Sequence, residues 1–300
     1  MLTPLRYPGG KAKLGAWLAH ILRSNNIQHG SYVEAYAGGA GAAIYLLSNH
    51  YVKNIVINDI DPAIYSFWES VTKNSKSFIK LLLDTEVTID ERERQREIYL
   101  NAHKHKHTEL ELGFATFFLN RTNRSGIITG GVIGGKNQDG KYKIDARYTK
   151  ENLAKRISDI SEMKDKITVS SDDAIDFIRR IPQDKNTLIN LDPPYYKKAD
   201  QLYSNFYTHD DHLRIAEMVK TIDAPTIVTY DNCEEIQEIY KEHNSLTFNI
   251  IYSSHLQRPV AKELLIYRNI NIDPLPFTSK KTTPIKELKN ELTFGTLQLA

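Results

Sequence analysis

The stretch Asn190-Leu191-Asp192-Pro193-Pro194-Tyr195-Tyr196 follows the apolar run Thr187-Leu188-Ile189 and sets an acid, two prolines and two tyrosines in succession. Proline has no backbone N–H and holds the residue before it in extended conformations. The strand must therefore end here in a rigid loop that presents Asp192, Tyr195 and Tyr196 at a sheet edge. A carboxylate fixed there can accept hydrogen bonds from an amine, and a tyrosine face beside it can stack on a flat ring.

A second group of residues suits a different task. Ala35 to Gly41, Ala-Tyr-Ala-Gly-Gly-Ala-Gly, joins a strand to a helix through a loop where a ligand could meet bare backbone. The glycines fall at 38, 39 and 41, which is not the GxGxxG dinucleotide spacing. Alone the loop is equally a tight strand–helix turn. Asp59 tips the balance: it lies 20 positions after Gly39 at the end of the next strand, where a carboxylate can accept from ribose hydroxyls. Loop and acid together favour a nucleoside-bearing cofactor. Near the amino terminus, Leu5 to Leu14 places Tyr7, a Pro-Gly-Gly turn and Lys11 ahead of a helix. In isolation that block reads as a surface turn.

These groups need a scaffold that gathers strand ends. Apolar strand candidates run into Glu34 and the glycine loop, Asp59, Asp172 and Asp173, Asp192, and Asp231. Strands alternating with helical segments indicate an α/β, Rossmann-like, mostly parallel sheet with ligands outside the carboxyl ends of the strands. All these acids should then crowd one edge. Between Ile64 and Ser161 the alternation breaks into long polar helical stretches, then a piece from Phe117 to Tyr148 rich in glycine, asparagine and arginine that reads as exposed loops and hairpins. The expected division is a catalytic domain over 1–63 and 162–270, an inserted and mainly helical domain over 64–161, and a loosely packed tail over 271–300.

Bulk properties exclude several classes. The 300 residues are 41% hydrophobic and 25% charged, an ordinary globular balance. A formal charge of +2 gives no net-charge argument for nucleic acid. The single cysteine, Cys233, rules out an internal disulfide and any multi-cysteine zinc site. No apolar stretch approaches the roughly 20 residues of a membrane helix, and no signal-peptide core opens the chain, so a cytosolic place is expected.

The order of the motifs, Tyr-Pro-Gly-Gly-Lys from Tyr7, Val33 to Gly41, Ile57 to Asp61, an insertion, Asp192 to Tyr196, and Val260 to Tyr267, resembles the Dam-type family of DNA adenine-N6 methyltransferases. The resemblance implies a methyltransferase fold with an inserted target-recognition domain, S-adenosylmethionine as cofactor, and double-stranded DNA as partner; it admits a companion restriction enzyme. By motif position it implies cofactor contacts at Tyr7, Lys11, Glu34, Ala37, Gly38, Gly39, Ala40, Gly41, Asp59, Asp172 and Asp192. Tyr36 stands where the family usually has Phe, and Tyr7 where Trp is frequent; both keep an aromatic ring. The insertion matches only loosely, at Asn120, Arg121 and Gly126, so the recognised sequence does not transfer.

The chemistry fits the residues. An exocyclic amine of adenine is a poor nucleophile because its lone pair is delocalised into the ring. Asp192 and the Pro193 carbonyl can each accept one of its N–H bonds, orienting the lone pair and stabilising developing positive charge. Pro193 and Pro194 fix these acceptors, and Tyr195 offers a face for a base flipped out of the duplex. Arg121, Arg124, Lys136, Lys141, Lys143 and Arg147 form the expected DNA surface, with Arg258 and Lys262 on a late hairpin touching phosphates. Glu263 to Tyr267 reads as core strand. Competing readings are an RNA adenine methyltransferase, which the active site alone does not separate, a protein glutamine methyltransferase, disfavoured because Asp192 stands where Asn is preferred, and a non-catalytic DNA-binding module, disfavoured by the intact acid and glycine loop.

Overall fold

A computed structural model describes residues 3–6, 11–104, 107–197, 207–251 and 260–273. Tyr7, Arg258 and the tail beyond Asp273, for which the sequence alone set expectations, lie outside these residues. Seven strands form one sheet: β1 (Ser31–Glu34), β2 (Asn54–Asn58), β3 (Ile167–Ser170), β4 (Thr187–Leu191), β5 (Thr226–Asp231), β6 (Ser245–Ile251) and β7 (Val260–Arg268). Their order is β3-β2-β1-β4-β5-β7-β6. The first five run parallel, and β7 enters antiparallel between β5 and β6. This is the α/β, mostly parallel sheet that the strand–helix alternation predicts.

Both faces of the sheet are buried, and side chains divide between them with the strand period of two. Tyr32, Leu188, Ile227 and Leu265 join one apolar cluster. Val33, Ile189, Leu191, Val228, Leu264 and Ile266 join the other. The first cluster is covered by α1 (Gly15–Ser24), α2 (Gly41–Ser48) and α3 (Pro62–Lys73). The second is covered by α8 (Ala174–Arg180), α9 (His209–Thr221) and α10 (Glu234–Ile239).

Between α3 and β3 come α4 (Ser75–Asp84), α5 (Ile89–Leu100), α6 (Glu109–Thr122) and α7 (Lys150–Ser161). Thr108 starts α6 with a capping box, its hydroxyl accepting from the Glu111 amide and Glu111 reaching back to the Thr108 amide. Helix α6 is apolar nearly all round and is correspondingly buried. Phe117 lies parallel to Phe67 of α3 at 6.0 Å between ring centroids. Phe78, Phe114, Phe118, Leu153 and Ile157 continue the same cluster that contains α1 and α2.

The piece expected as exposed loops therefore begins differently. Phe117 to Thr122 is the buried end of α6. From Asn123 to Tyr148 the chain is turns and short 3-10 segments, with one isolated bridge, Asn123 to Val132, in place of a hairpin ladder. Its backbone is tied down by side chains. Asn120 Nδ2 donates to the carbonyls of Arg6 at 2.9 Å and Gly126 at 2.7 Å. Asn123 Nδ2 donates to the carbonyls of Ile127 at 3.1 Å and Ile128 at 2.7 Å. Gly126 has φ +80°, and a Cβ there would lie 1.9 Å from the Arg6 carbonyl oxygen, so only glycine fits this approach.

Candidate active site at the carboxyl edge of the sheet

In an open parallel sheet the ligand crevice opens where the strand order reverses, outside the carboxyl ends of the strands. Here β1 is flanked by β2 and β4, and the chain leaves β1 toward one side and β4 toward the other. The glycine loop follows β1 and Asp192 follows β4. The two motifs thus meet at this switch point.

Asp192 is held from both sides. Thr229 of β5 donates its hydroxyl to Asp192 Oδ1 at 2.8 Å, and Lys11 Nζ stands 3.2 Å from the same oxygen. The parallel register of β4 on β5, with Leu191 opposite Val228, brings Thr229 to this position. Among the described residues none hydrogen-bonds Oδ2, and the side chain is 21% exposed. Asp231 fixes the rest of the loop by accepting from the amides of Tyr196 at 2.9 Å and Lys197 at 3.3 Å.

Tyr195 is buried, with its hydroxyl end locked. It donates to Glu263 Oε1 at 2.5 Å and accepts from Lys11 Nζ at 3.1 Å, and Lys11 Nζ lies 5.3 Å from its ring centroid. Burial alone would push the Lys11 ammonium down, but Asp192, Glu263 and Tyr195 outweigh it and hold its pKa well above the ordinary value. Glu263, read from the sequence as plain core strand, is therefore part of the site: its carboxylate meets Lys11 at 3.3 Å and 3.2 Å. Thr229 was likewise not singled out, and Asp231 was expected only as one of the acids at the strand ends. The available signal was a lone acid in the apolar run Leu264-Leu265-Ile266, since a carboxylate on such a strand requires a partner.

The other half of the crevice is built around Asp59. Its Oδ2 accepts from the Gly38 amide at 2.8 Å and its Oδ1 from the Asp61 amide at 3.0 Å. Burial raises its pKa to about 7, opposed by those amides and reinforced by the Asp61 charge. Trp68 of α3 donates its indole N–H to the Gly38 carbonyl at 2.9 Å, so Gly38 is gripped through both its amide and its carbonyl. Ala40 is left-handed at φ 42°, and Gly41 opens α2 with no room for a side chain, because a Cβ would lie 2.6 Å from that of Ala12. The Lys11 segment and the glycine loop are thus packed together. Glu34 lies beneath them, its Oε1 accepting from the Tyr32 hydroxyl at 3.0 Å and the Ala43 amide at 3.3 Å, and burial pushes its pKa to about 8.

Asp172 lies at the end of β3, and two contacts occupy it: an ion pair with Arg180 and a backbone clasp to Asn58. Asn58 is buried, accepts from the Ser170 hydroxyl and Asp172 amide at 2.9 Å each, and donates to the Ala35 carbonyl at 3.1 Å. It stitches the ends of β1, β2 and β3 into one edge.

The model of the D12 class N6 adenine-specific DNA methyltransferases matches residues 7–258. The chain belongs to this family. It therefore transfers a methyl group from S-adenosylmethionine to the N6 amine of adenine in DNA. A comparison with curated protein sequences returns no match. Among solved structures, the chain is similar to PH1948 from Pyrococcus horikoshii, described as a candidate RNA methyltransferase, at 12% identity and TM-score 0.40, over 90% of this chain and 86% of that one. It is also similar to LPL1258 from Legionella pneumophila, at 12% identity and TM-score 0.33, over 94% and 90%. The assignment draws on neither.

The crevice of this adenine methyltransferase suits its cofactor by the chemistry of its donor set. Asp59 has each oxygen satisfied once and retains lone pairs for a vicinal diol, and the acids at this edge complement a sulfonium cation. Gly38, Gly39 and Gly41 carry no side chain to hold a ligand away from the backbone.

The cations that the sequence led us to expect at a DNA surface separate into two groups. Arg124, Lys136, Lys141, Lys143 and Arg147 are exposed, as is Lys262 on β7. Tyr142 among them is 58% exposed, with Lys141 Nζ 5.7 Å and Arg147 Cζ 5.9 Å from its ring centroid. Arg121 is different: it is 7% exposed and donates to the Pro4 carbonyl. Burial, and then the nearby charges of Arg156, Arg6 and Arg147, bring its pKa down to about 9. The guanidinium anchors the amino-terminal segment, a role its place in an exposed-looking sequence did not suggest. Arg156 joins it there, donating to the Thr3 carbonyl at 3.2 Å.

Proposed function

We propose that Asp192 and the Pro193 carbonyl accept the two N–H bonds of a target adenine flipped out of double-stranded DNA, and that Tyr195 supports the base. The observation that carries this reading is the unequal treatment of the Asp192 oxygens. Oδ1 is fixed by Thr229 and Lys11, while Oδ2 is left for an incoming donor at the switch point of the sheet. S-adenosylmethionine supplies an electrophilic methyl group when bound. Asp59, the 37–41 backbone and, by motif position, Tyr7 and Glu34 hold it, with Glu34 acting from beneath through the α2 amide. The protein's own contribution is placement and a preorganised negative charge facing the nitrogen as it becomes positive.

The segment 64–161 is the part of this proposal that reads DNA. Lys136, Lys141, Lys143 and Arg147 take phosphates, with Lys262 on the far side, and Arg124 contacts bases or their immediate surroundings. Ser125, at φ 56°, turns the chain just after Arg124, whose Nε reaches the Val132 carbonyl at 3.2 Å. The cluster of Arg6, Arg121, Arg147 and Arg156 adds positive potential from below this surface. A companion restriction enzyme would cut the same sequence when it lacks the methyl group.

The test is methylation of a duplex sequence library by Arg124→Ala, with binding of Lys136→Ala and Lys141→Ala measured at two salt concentrations. Loss of one phosphate contact lowers the salt slope by about one and weakens all sequences alike, whereas loss of a base contact relaxes preference at one position. Unchanged preference, affinity and slope in all three variants would move the DNA interface elsewhere.

A further inference from the structure

Glu263 is 1% exposed in the middle of an apolar strand, where an unpaired carboxylate is not tolerated. Its pKa is raised by burial, against the pull of Lys11 and the Tyr195 hydroxyl. Both of its partners also belong to the catalytic loop's surroundings. Tyr195 donates to Oε1 at 2.5 Å, and Lys11 Nζ lies 3.3 Å from Oε1 and 3.2 Å from Oε2. The same Nζ lies 3.2 Å from Asp192 Oδ1. One buried ammonium is thus shared by two carboxylates, with the Tyr195 and Thr229 hydroxyls completing the cluster.

The sharing has a chemical consequence. Two carboxylates and one ammonium leave the cluster with one net negative charge. Without Glu263, Lys11 would pair with Asp192 alone, and the cluster would be neutral. The nitrogen of the target amine gains positive charge as the methyl group arrives, so a neutral cluster stabilises that transition state less. We propose that Glu263 is a positioning residue for methyl transfer. It draws the Lys11 charge away from Asp192, keeping Asp192 a strong acceptor, and it fixes the Tyr195 ring through its hydroxyl. This rests on the reading of Asp192 as the acceptor of the amine.

Glu263→Gln keeps the shape of the side chain and an oxygen for the Tyr195 hydroxyl, removes the charge, and sets an amide N–H where Oε2 accepted from Lys11. The single-turnover rate on duplex DNA should fall about 10- to 100-fold, the order expected for weakening one electrostatic contact to the transition state. The affinities for S-adenosylmethionine and for DNA should stay within about twofold, a split that a merely structural role would not give. In a Lys11→Met background the buried Glu263 carboxyl has lost its cation and takes up a proton, so only Asp192 still carries charge and adding Glu263→Gln should change the rate by less than about threefold.

Three results would overturn the proposal: a normal rate in Glu263→Gln, a rate loss matched by lost cofactor or DNA affinity, or the same large loss in the Lys11→Met background. If Glu263→Gln does not fold, the comparison of Lys11→Met with Lys11→Met/Glu263→Gln decides alone, small change supporting the proposal and large loss contradicting it. Asp192→Ala, measured in parallel, separates the two layers. An active Asp192→Ala removes the reading beneath, whereas an inactive one with a normal Glu263→Gln removes only this inference.

Discussion

Replacing Thr229 by valine takes one hydrogen bond from the Asp192 carboxylate and keeps the outline of a fully buried side chain. A bond from a hydroxyl to an ionised acceptor contributes roughly 1.5–3 kcal/mol where both groups are shielded from water. Here Asp192 is 21% exposed and retains Lys11 at 3.2 Å, so water and the lysine recover part of the loss. Valine leaves no orphaned donor behind. A stability loss of about 1 kcal/mol is expected on these grounds. The effect on catalysis should be larger than the loss of stability alone would suggest. With one of two anchors gone, Oδ2 wanders from the line of the target amine, and a fall of about 10-fold corresponds to about 1.4 kcal/mol of transition-state stabilisation. The assay is single-turnover transfer of a labelled methyl group to duplex DNA, with cofactor affinity by calorimetry and stability by denaturant unfolding. Cofactor affinity should not change, because the Thr229 hydroxyl is engaged with Asp192 and, among the described residues, makes no hydrogen bond to the glycine loop. A folded variant with the parent rate, or one whose rate loss is explained by weaker cofactor binding, would refute the reasoning.

The pKa of Asp59 is raised to about 7, chiefly by burial, so its ionised form is disfavoured in the folded protein without cofactor. Its contribution to stability is present below about pH 4 and lost as pH rises through about 7, so the melting temperature should decline across that window. Cofactor affinity should move oppositely, rising between about pH 6 and pH 8 as the carboxylate ionises, and Asp59→Asn should flatten both curves. Asp59→Ala should weaken S-adenosylmethionine binding by about 1–3 kcal/mol, read by calorimetry. Gly126→Ala sets a Cβ 1.9 Å from the Arg6 carbonyl at φ +80° and should destabilise the fold by about 2 kcal/mol or more, measured by denaturant unfolding.

What the sequence disclosed was governed by locality. The ends of β1, β2 and β4 carry the glycine loop, Asp59 and Asp192, and a parallel sheet brings strand ends together without further information. The residues that hold Asp192 were hidden because their contacts are not local. Thr229 reaches it only through the β4–β5 register, and Glu263 through an antiparallel strand inserted between β5 and β6. Lys11 was visible as part of a motif but not as the ion shared by two carboxylates. Arg121 was placed on an exposed surface by its glycine- and arginine-rich surroundings. The preceding Phe114 to Leu119 run carries the opposite message: a helix buried on all sides ends with its last cation buried too.

The most direct measurement incubates the purified protein with duplex DNA and S-adenosylmethionine bearing a labelled methyl group, then digests the DNA and identifies the labelled nucleoside by mass spectrometry. The predicted result is label in N6-methyladenine alone, with a loss of at least about 100-fold in Asp192→Ala. Label in RNA or protein and not in DNA, or an Asp192→Ala variant that methylates at the parent rate, would contradict it.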